Sequence, residues 1–423
     1  NNMMHDISYL FGFDEVSGNF QSNNYGKGGR DGDAVAAQGQ DGANILDADH
    51  TNNANFSTPG DGNNGRMQMY FWSQSASSTS IDEPAELAGD IEVTVPNNQG
   101  GDWGFNYVLE FQNVSITEKV VLADDGSVTN ETQACSPLVN GAEMDGNIAM
   151  IDRGSCEFGR KSLNAQNAGA VAVLICNIPG VNNGDGEEGV NMGGGVDGPQ
   201  VTIPAVFLKY SDCQNIKAVL STGQDVVVTI MEREIEGPEY YSSSFDNGVI
   251  AHEFAHGIST RLTGGPSNSG CLPSFDEDGD GTAETGEQMG EGWSDFFGLI
   301  TTVYEGDQGS DRRGVGVYVN GENENGRGIR AFPYSTDQSI NPQTMNDLLS
   351  SSGVHATGAI WAAAIWDLYW AFVDLYGFDP DWRNTESGNF KAVQLVMDGM
   401  KFQPCAPGFM DGRDAILAAD IAN

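Results

Sequence analysis

Two histidines and a glutamate in one short run, His252-Glu253-Phe254-Ala255-His256, have the types and spacing of a metal site. Residues four apart on a helix share one face, so both imidazoles can bind the same ion. Glu253 lies one step round the helix and can reach a metal-bound water as a general base. Because the chain has only five histidines, chance is the weaker explanation, at roughly a few occurrences per thousand sequences. The run predicts a catalytic zinc site.

A third zinc ligand is expected downstream, because a catalytic zinc ion takes three protein ligands and keeps one position open for water. Glu291 and Asp295 stand four residues apart, just before the apolar run 296–300. On one helix face, Glu291 can bind the metal while Asp295 accepts the second N–H of a ligating histidine. Such acidic pairs are common on solvated helices, so this prediction depends on the histidine motif before it and the apolar helix after it.

The acidic segment between His256 and Glu291 fits the calcium loop of EF-hands position by position. Carboxylates, a glycine and a backbone carbonyl occur where that loop requires them. The predicted calcium ligands are Asp276, Asp278, Asp280, Thr282 and Glu287. No flanking helix pair is evident, so we interpret the segment as a structural calcium loop that orders the approach to Glu291. A merely solvated acidic loop is the alternative.

The elements that must position these residues change in character along the chain. Residues 1–79 mix Gly/Asn/Asp loops with one alternating stretch, 66–72, that predicts a strand. Residues 80–236 hold short apolar strands and a helical stretch near 161–168, which predicts a separate β-rich α/β module. Residues 237–423 are mostly helical in pattern, near 246–260, 289–304, 354–376 and 389–400. The prediction is an α+β fold with the zinc residues in its helical part.

Composition limits the classes of function. The chain has 60 acidic and 19 basic residues, a formal charge of −41, which argues against nucleic-acid partners and polybasic membrane attachment. Its longest strongly apolar run, 356–366, is too short to span a membrane and predicts a core helix. Six cysteines without a CxxC pair favour three disulfides and a secreted, extracellular protein. The first residues, NNMMHD, show no signal-like pattern, so we expect any signal peptide or pro-segment to have been removed.

Both ends of the chain resemble the fungalysin family of secreted zinc metallopeptidases, within the thermolysin-like (gluzincin) group. The similar runs are HEFAHGISTRLTGGPSNSGCL, EQMGEGWSDFF, QLVMDGMKFQPCAPGFMDGRDAILAAD, NNMMHDISYLFGFDEVSGNFQ and TNNANFSTPGDGNNGRMQMYFW. The resemblance implies a two-lobed endopeptidase, with a β-rich N-terminal lobe in residues 1–79 and a mainly helical, zinc-binding lobe in residues 237–423. It implies that His252, His256 and Glu291 hold the zinc ion. Glu253 is then the general base.

The same resemblance implies further active-site residues. His355, at the start of the apolar helix, is similar to the histidine that stabilises the oxyanion. Asn53 and Ala54 resemble the edge strand that hydrogen-bonds the substrate backbone. Arg330 resembles an arginine that binds a substrate carbonyl, with a salt bridge inside an acidic protein as its alternative. The sequence identifies neither the group that orients His355 nor the tyrosine that assists the oxyanion in these enzymes.

The middle of the chain resembles a protease-associated (PA) domain. The similarity rests on residues 146–158 and on the Ile203-Pro204 pattern, and it is good over about residues 130–232 of the predicted insertion, 80–236. It implies a non-catalytic domain that recruits substrate or controls access, with simple stabilisation as the alternative. Domain membership then implies the disulfides Cys135–Cys156, Cys176–Cys213 and Cys271–Cys405.

These observations together predict a secreted, monomeric zinc endopeptidase that acts on protein or peptide substrates. We expect one catalytic zinc ion, at least one structural calcium ion, removal of an N-terminal pro-segment on maturation, and neither a membrane span nor a nucleic-acid partner. Two alternatives are a zinc aminopeptidase, because PA domains also accompany exopeptidases, and a non-catalytic, calcium-stabilised adhesion protein. Internal cleavage of an N-blocked peptide would separate the first alternative, and the intact ligand set argues against the second.

Overall fold

The structure is a computed structural model that divides into two compact units. It describes residues 1–423 except 47–49, 74–76, 92, 95–102, 104–114, 180–185, 187–189, 191, 233–239, 273–288, 350–353 and 423. Unit 1 contains Asn1–Asn44, Asn53–Trp72 and Tyr241–Asn423, and unit 2 contains Ile45–Asn52 and Ser73–Tyr240. The longer segment of unit 2, Ser73–Tyr240, extends a few residues beyond each end of the insertion 80–236 that the sequence predicts, and Ile45–Asn52 was not expected in this unit.

The chain has a mixed α and β composition. The α-helices are α1 (Asn2–Leu10), α2 (Gly141–Met144), α3 (Phe158–Asn167), α4 (Tyr210–Leu220), α5 (Asn247–Leu262), α6 (Gly290–Ile300), α7 (Val354–Tyr376), α8 (Gly388–Phe402) and α9 (Phe409–Ala422). The strands are β1 (Ala36–Gly39), β2 (Ala54–Ser57), β3 (Arg66–Met69), β4 (Phe71–Ser73), β5 (Ser77–Glu83), β6 (Gly89–Ile91), β7 (Val93–Thr94), β8 (Ser115–Leu122), β9 (Ile148–Asp152), β10 (Ala172–Cys176), β11 (Ala205–Leu208), β12 (Val227–Glu232) and β13 (Tyr240–Ser242).

The sheet of unit 1 has the order β1-β3-β2. β1 runs parallel to β3, and β2 runs antiparallel to it with Ala54 opposite Met69. The single strand expected over 66–72 is divided at Tyr70, whose carbonyl accepts hydrogen bonds from the Ser243 backbone N–H (3.0 Å) and hydroxyl (2.8 Å). Because these donors take the Tyr70 carbonyl, β3 ends at Met69, and β4 pairs with β13 instead.

The helices of unit 1 enclose one apolar core. Helix α5 begins after Asp246, whose Oδ1 accepts the Val249 N–H at 3.0 Å and caps the first turn. Helix α6 ends at Ile300, four residues before the predicted end. The hydroxyls of Thr301 and Thr302 donate to the carbonyls of the preceding turn, and such local bonds compete with helix continuation.

Helix α7 contains the apolar run of the sequence. By length and composition it is the one helix among the described residues that could cross a bilayer, but 61% of its most apolar window is buried within the protein. Its aromatic side chains pack in the core of unit 1, including Trp361 against Trp293 with 5.0 Å between ring centroids. The predicted core helix is therefore present.

Unit 2 is built on a curled sheet of the order β6-β5-β12-β8-β9-β10-β11-β7. β8 to β11 are parallel, and the strands at either side of them are antiparallel. Alternate residues of β9 enter two apolar clusters, with Ile148 and Met150 in one and Ala149 and Ile151 in the other. Both faces of this central part are therefore buried, as expected for parallel strands.

Three disulfides are present. Cys135–Cys156 and Cys176–Cys213 lie in unit 2, and Cys271–Cys405 lies in unit 1. They are the pairs that the two resemblances implied. Each joins segments far apart in sequence, so each reduces the freedom of the unfolded chain more than that of the folded one.

Candidate metal centre

Helix α5 brings the two motif histidines onto one buried face. Their Nε2 atoms are 3.1 Å apart, and the side chain of His252 is 6% exposed while that of His256 is 22% exposed. Burial lowers the pKa of His256 to about 4, which keeps its ring neutral with a lone pair available for a metal. The i, i+4 spacing therefore places both imidazoles on the same face of α5, as the sequence predicts.

Helix α6 supplies Glu291. Its Oε2 lies 3.3 Å from Nε2 of His252, and its Oε1 lies 3.5 Å from Nε2 of His256. Burial opposes ionisation of Glu291, but the imidazoles of His355, His256 and His252 hold its pKa well below the usual range. The carboxylate is therefore charged, as a metal ligand must be.

A pair of glycines brings α6 and α7 into close contact behind this ligand. A Cβ on Gly292 would lie 2.4 Å from the carbonyl oxygen of Gly358, and a Cβ on Gly358 would lie 2.4 Å from Cβ of Glu291. No larger residue fits at either position without moving the helices apart. The pair was not predicted, because the spacing of glycines in the sequence does not show that Gly292 and Gly358 meet.

Asp295 is the most heavily hydrogen-bonded group of the site. With its proton on Nδ1, His252 donates to Oδ1 of Asp295 at 2.7 Å. Arg330 donates through Nε (2.6 Å) and Nη2 (2.8 Å), and the hydroxyl of Tyr334 donates to Oδ2. Burial raises the pKa of Asp295, but Arg330 and the His252 hydrogen bond outweigh it and hold the pKa well below its usual range.

Glu253 lies beside the two histidines on α5, and one of its carboxylate oxygens accepts no hydrogen bond from the described residues. The residue is 4% exposed, and its Oε2 has no hydrogen-bond partner among the described residues. Burial raises the pKa of this carboxyl to about 7. A buried, unpaired carboxylate is costly unless a ligand or proton completes it, so this oxygen has the character of a group that exchanges a proton.

The other predicted site residues lie at varied distances from this cluster. Nε2 of His355, in the first turn of α7, is 3.5 Å from Oε2 of Glu291, and its side chain is 58% exposed. Arg330 is buried and bridges Asp295 and Glu291, with 3.1 Å between its Nη2 and Glu291. The salt bridge that the sequence analysis kept as the alternative for Arg330 is therefore present.

The predicted substrate strand is β2. It pairs with β3 along one edge, and no other described strand pairs with its second edge. It packs against α5. The side chain of Asn53 accepts the backbone N–H of Ala54 at 2.9 Å. The predicted calcium ligands, Asp276, Asp278, Asp280, Thr282 and Glu287, all lie outside the described residues.

The donor set fits zinc. The candidate ligand atoms of His252, His256 and Glu291 all lie within 4.8 Å of one another, and their closest separations are 3.1, 3.3 and 3.5 Å. Two atoms each about 2.1 Å from one ion at a tetrahedral angle are about 3.4 Å apart. Two imidazoles and a carboxylate, with a second carboxylate beside them, are the donor set expected of a catalytic rather than a structural zinc site.

The fold and these side chains form a candidate site of the metallohydrolase type, with two candidate ligands and a candidate base on α5 and a third candidate ligand on α6. The chain belongs to the fungalysin metallopeptidase family (M36), whose family model matches residues 1–423. The resemblance of the sequence to the fungalysin family is therefore confirmed. Membership of a metallopeptidase family implies a metal cofactor, and the donor set selects zinc.

Curated relatives carry names of the same kind. An extracellular metalloproteinase MEP of Pyricularia oryzae is 29% identical over 429 residues, which cover 100% of this chain and 39% of that protein. One of Fusarium vanettenii is 43% identical over 188 residues, 43% of this chain and 28% of that protein. The chain thus spans well under half the length of these relatives. Among solved structures, an aminopeptidase from an Aneurinibacillus strain is 15% identical, covers 57% of this chain and 44% of its own, and has a TM-score of 0.28, too low to support any inference.

Proposed function

We propose that this protein is a secreted, zinc-dependent endopeptidase that hydrolyses internal peptide bonds of proteins. The observation that carries the proposal is the convergence of His252, His256 and Glu291 on one point, beside the unpaired Oε2 of Glu253. Family membership and the extracellular metalloproteinases among its relatives support the same activity and location. A two-lobed, thermolysin-like arrangement of the peptidase part belongs to this proposal.

Each residue has a separate task in the proposed reaction. When bound, zinc lowers the pKa of a water molecule and polarises the scissile carbonyl. Glu253 accepts the proton of the attacking water and passes it to the leaving amine. His355, accessible and close to Glu291, donates a hydrogen bond to the developing oxyanion.

In this proposal, β2 and Arg330 bind the substrate backbone and align it. An extended peptide can add to the unpaired edge of β2, with Asn53 and Ala54 supplying hydrogen bonds. Arg330 uses Nε and Nη2 on Asp295 and Glu291, and we assign its third nitrogen, Nη1, to a substrate carbonyl. The guanidinium is held rigidly by its two carboxylates, so a substrate contact through Nη1 costs little further ordering.

The test is cleavage of an N-acetylated, internally quenched peptide, with the products mapped by mass. We expect internal cuts that stop on zinc removal by a chelator and resume on zinc addition. Cleavage only of peptides with a free amino terminus would favour an aminopeptidase instead. Zinc-independent cleavage would contradict the proposal altogether.

We also propose that the acidic segment 276–287 binds calcium and orders the chain leading to Glu291. The support is its sequence pattern and its position immediately before α6. Addition of excess calcium to chelator-treated protein should raise the temperature of unfolding and the activity together, because a ligand that binds only the folded state stabilises it. Glu287→Gln should remove most of that response, and an unchanged response would contradict the calcium site.

Unit 2 is proposed to be a PA domain that brings large substrates to the peptidase. Its support is the sequence resemblance, together with the separate core and the two internal disulfides of the unit. Deletion of residues 80–236 should spare cleavage of a short peptide and reduce cleavage of a folded protein. Equal loss on both substrates, in a deletion variant that still unfolds cooperatively, would favour a stabilising role. The monomeric state and the removal of a pro-segment remain predictions.

A further inference from the structure

The carboxylate of Asp295 receives four hydrogen bonds in a site that water does not reach. The residue is 0% exposed. Oδ1 accepts from Nδ1 of His252 and Nη2 of Arg330, and Oδ2 accepts from Nε of Arg330 and the hydroxyl of Tyr334. An ionised carboxylate offers about four acceptor positions, so all of them are filled. The orientation of Asp295 is therefore fixed by its donors, and Tyr334 is one of them.

The backbone of Tyr334 is fixed by Arg313, a residue outside α5 and α6. Its N–H donates to the Arg313 carbonyl at 2.7 Å, and its carbonyl accepts the Arg313 N–H at 3.0 Å. The residue is 1% exposed. Its hydroxyl therefore has no route to solvent or to a substrate oxyanion, and its contact with Asp295 accounts for the only donor that the side chain has.

We propose that Tyr334 is a positioning residue for the zinc ligand His252 and acts through Asp295. The inference rests on the proposed zinc site. The tyrosine holds Oδ2, so Oδ1 stays directed at Nδ1 of His252. The ring proton then remains on Nδ1, and the lone pair of Nε2 points at the metal position. Partners of this kind typically change metal affinity by about 10–100-fold when they are removed.

Arg330 alone cannot give the same restraint. Its Nε and Nη2 fill one acceptor position on each oxygen of Asp295, and Nη2 is also shared with Glu291, so the second position of Oδ2 is left to Tyr334. Removal of the Tyr334 hydroxyl would leave a buried acceptor position of Oδ2 empty. The carboxylate can then rotate toward the guanidinium, which weakens the bond from His252. This loosening is expected at the metal ligand, in addition to the loss of stability that an unpaired buried acceptor causes.

The test compares Tyr334→Phe with Tyr369→Phe. Both tyrosines are buried in the same core cluster, but the Tyr369 hydroxyl has no hydrogen-bond partner among the described residues. Competition for zinc against a chromophoric chelator should show a loss of about 10–100-fold in affinity for Tyr334→Phe and no change for Tyr369→Phe. Equal effects of the two variants, or no loss in Tyr334→Phe, would overturn the proposal.

A double-mutant comparison tests the route through Asp295. In an Asp295→Asn background, Tyr334→Phe should cause little further loss of zinc affinity, because the residue it restrains has already changed. The same fold loss in both backgrounds would show that Tyr334 acts by another route. Wild-type protein that binds no zinc would instead refute the proposed function, so the two failures are distinguishable.

Thermal unfolding of the metal-free proteins shows whether each variant folds.

A second measurement needs no variant. In the wild-type protein, the Tyr334 hydroxyl proton should resonate far downfield and exchange slowly with water, as expected for a buried hydrogen bond to a carboxylate. Rapid exchange of every tyrosine hydroxyl would overturn the contact on which the proposal stands.

Discussion

Arg261, in the last turn of α5, provides a test of which contacts stabilise unit 1. The side chain is 0% exposed. Nε donates to the Pro59 carbonyl at 2.8 Å, and Nη1 donates to the Gly18 carbonyl at 2.8 Å and to Oδ2 of Asp33 at 3.0 Å. The guanidinium also lies over the Phe20 ring, 4.6 Å from its centroid. One cation thus links α5 to several loops of the N-terminal residues.

Arg261→Met should be strongly destabilising because it leaves buried carboxylates without their cation. Asp33 is 0% exposed and Asp61 is 5% exposed. Burial, and then the nearby Asp33, already raise the pKa of Asp61. Loss of one partner of a buried ion pair typically costs about 3–5 kcal/mol. For a domain of roughly 150–250 residues, each kcal/mol lowers Tm by about 2–4 °C, so a fall of about 6–20 °C is expected.

Differential scanning calorimetry of the metal-free protein is the assay, since it separates the transitions of the two units. The matched control is Arg413→Met, which removes an exposed arginine paired with an exposed Asp414 and should leave Tm unchanged. Adding Asp33→Asn to Arg261→Met should recover part of the loss, because one uncompensated charge disappears. A Tm fall no larger than that of the control would show that Arg261 does not compensate the buried carboxylates.

Three further predictions concern packing, protonation and cross-links. A Cβ on Gly257 would lie 2.5 Å from a Phe20 ring carbon, whereas one on Gly290 would meet nothing within 4 Å. Gly257→Ala should therefore lower the free energy of unfolding by about 1–3 kcal/mol, measured with denaturant. A decrease no greater than that caused by Gly290→Ala would contradict the close packing at Gly257. Burial lowers the pKa of Lys161 from 10.5 to about 8. Between these two pKa values the unfolded chain binds more protons than the folded one. As the pH rises across this range, the free energy of unfolding of the wild type should therefore increase by about 2–3 kcal/mol relative to that of Lys161→Met. Parallel pH profiles of stability for the two proteins would refute this prediction. Cys271–Cys405 spans 134 residues and Cys135–Cys156 spans 21. Replacing both cysteines of a pair with alanine should lower the free energy of unfolding by about 5 kcal/mol for the first disulfide and about 3 kcal/mol for the second. The reverse order in calorimetry would contradict the entropy of the unfolded chain as the main cause.

The parts of the site that follow from local spacing were predictable from the sequence. His252 and His256 share a helix face because they are four residues apart, and the same rule relates Glu291 to Asp295. The helix start near Asp246 and the core position of α7 also follow from capping and apolar pattern. The family resemblance supplied the roles of residues such as His355, for which spacing alone gives no argument.

The contacts that depend on tertiary structure were not predictable in the same way. Tyr334 reaches Asp295 across 39 residues of sequence, and nothing in the local pattern around Tyr334 indicates that its hydroxyl enters a metal site. Arg330 was expected to face substrate, yet two of its nitrogens bind carboxylates of the protein. The sequence around Arg261 predicts an exposed charged residue in a helical turn. Its burial depends on the folded loops around it.

The central claim is that Glu253 moves protons beside a zinc ion held by other residues. Its most direct test is to measure zinc content and peptide cleavage on the same preparation of Glu253→Gln, a change that keeps the size of the side chain and removes its basicity. We expect a zinc content equal to that of the wild type and a loss of turnover of about 10²–10⁴-fold. Turnover within about tenfold of the wild type, with zinc bound, would contradict it.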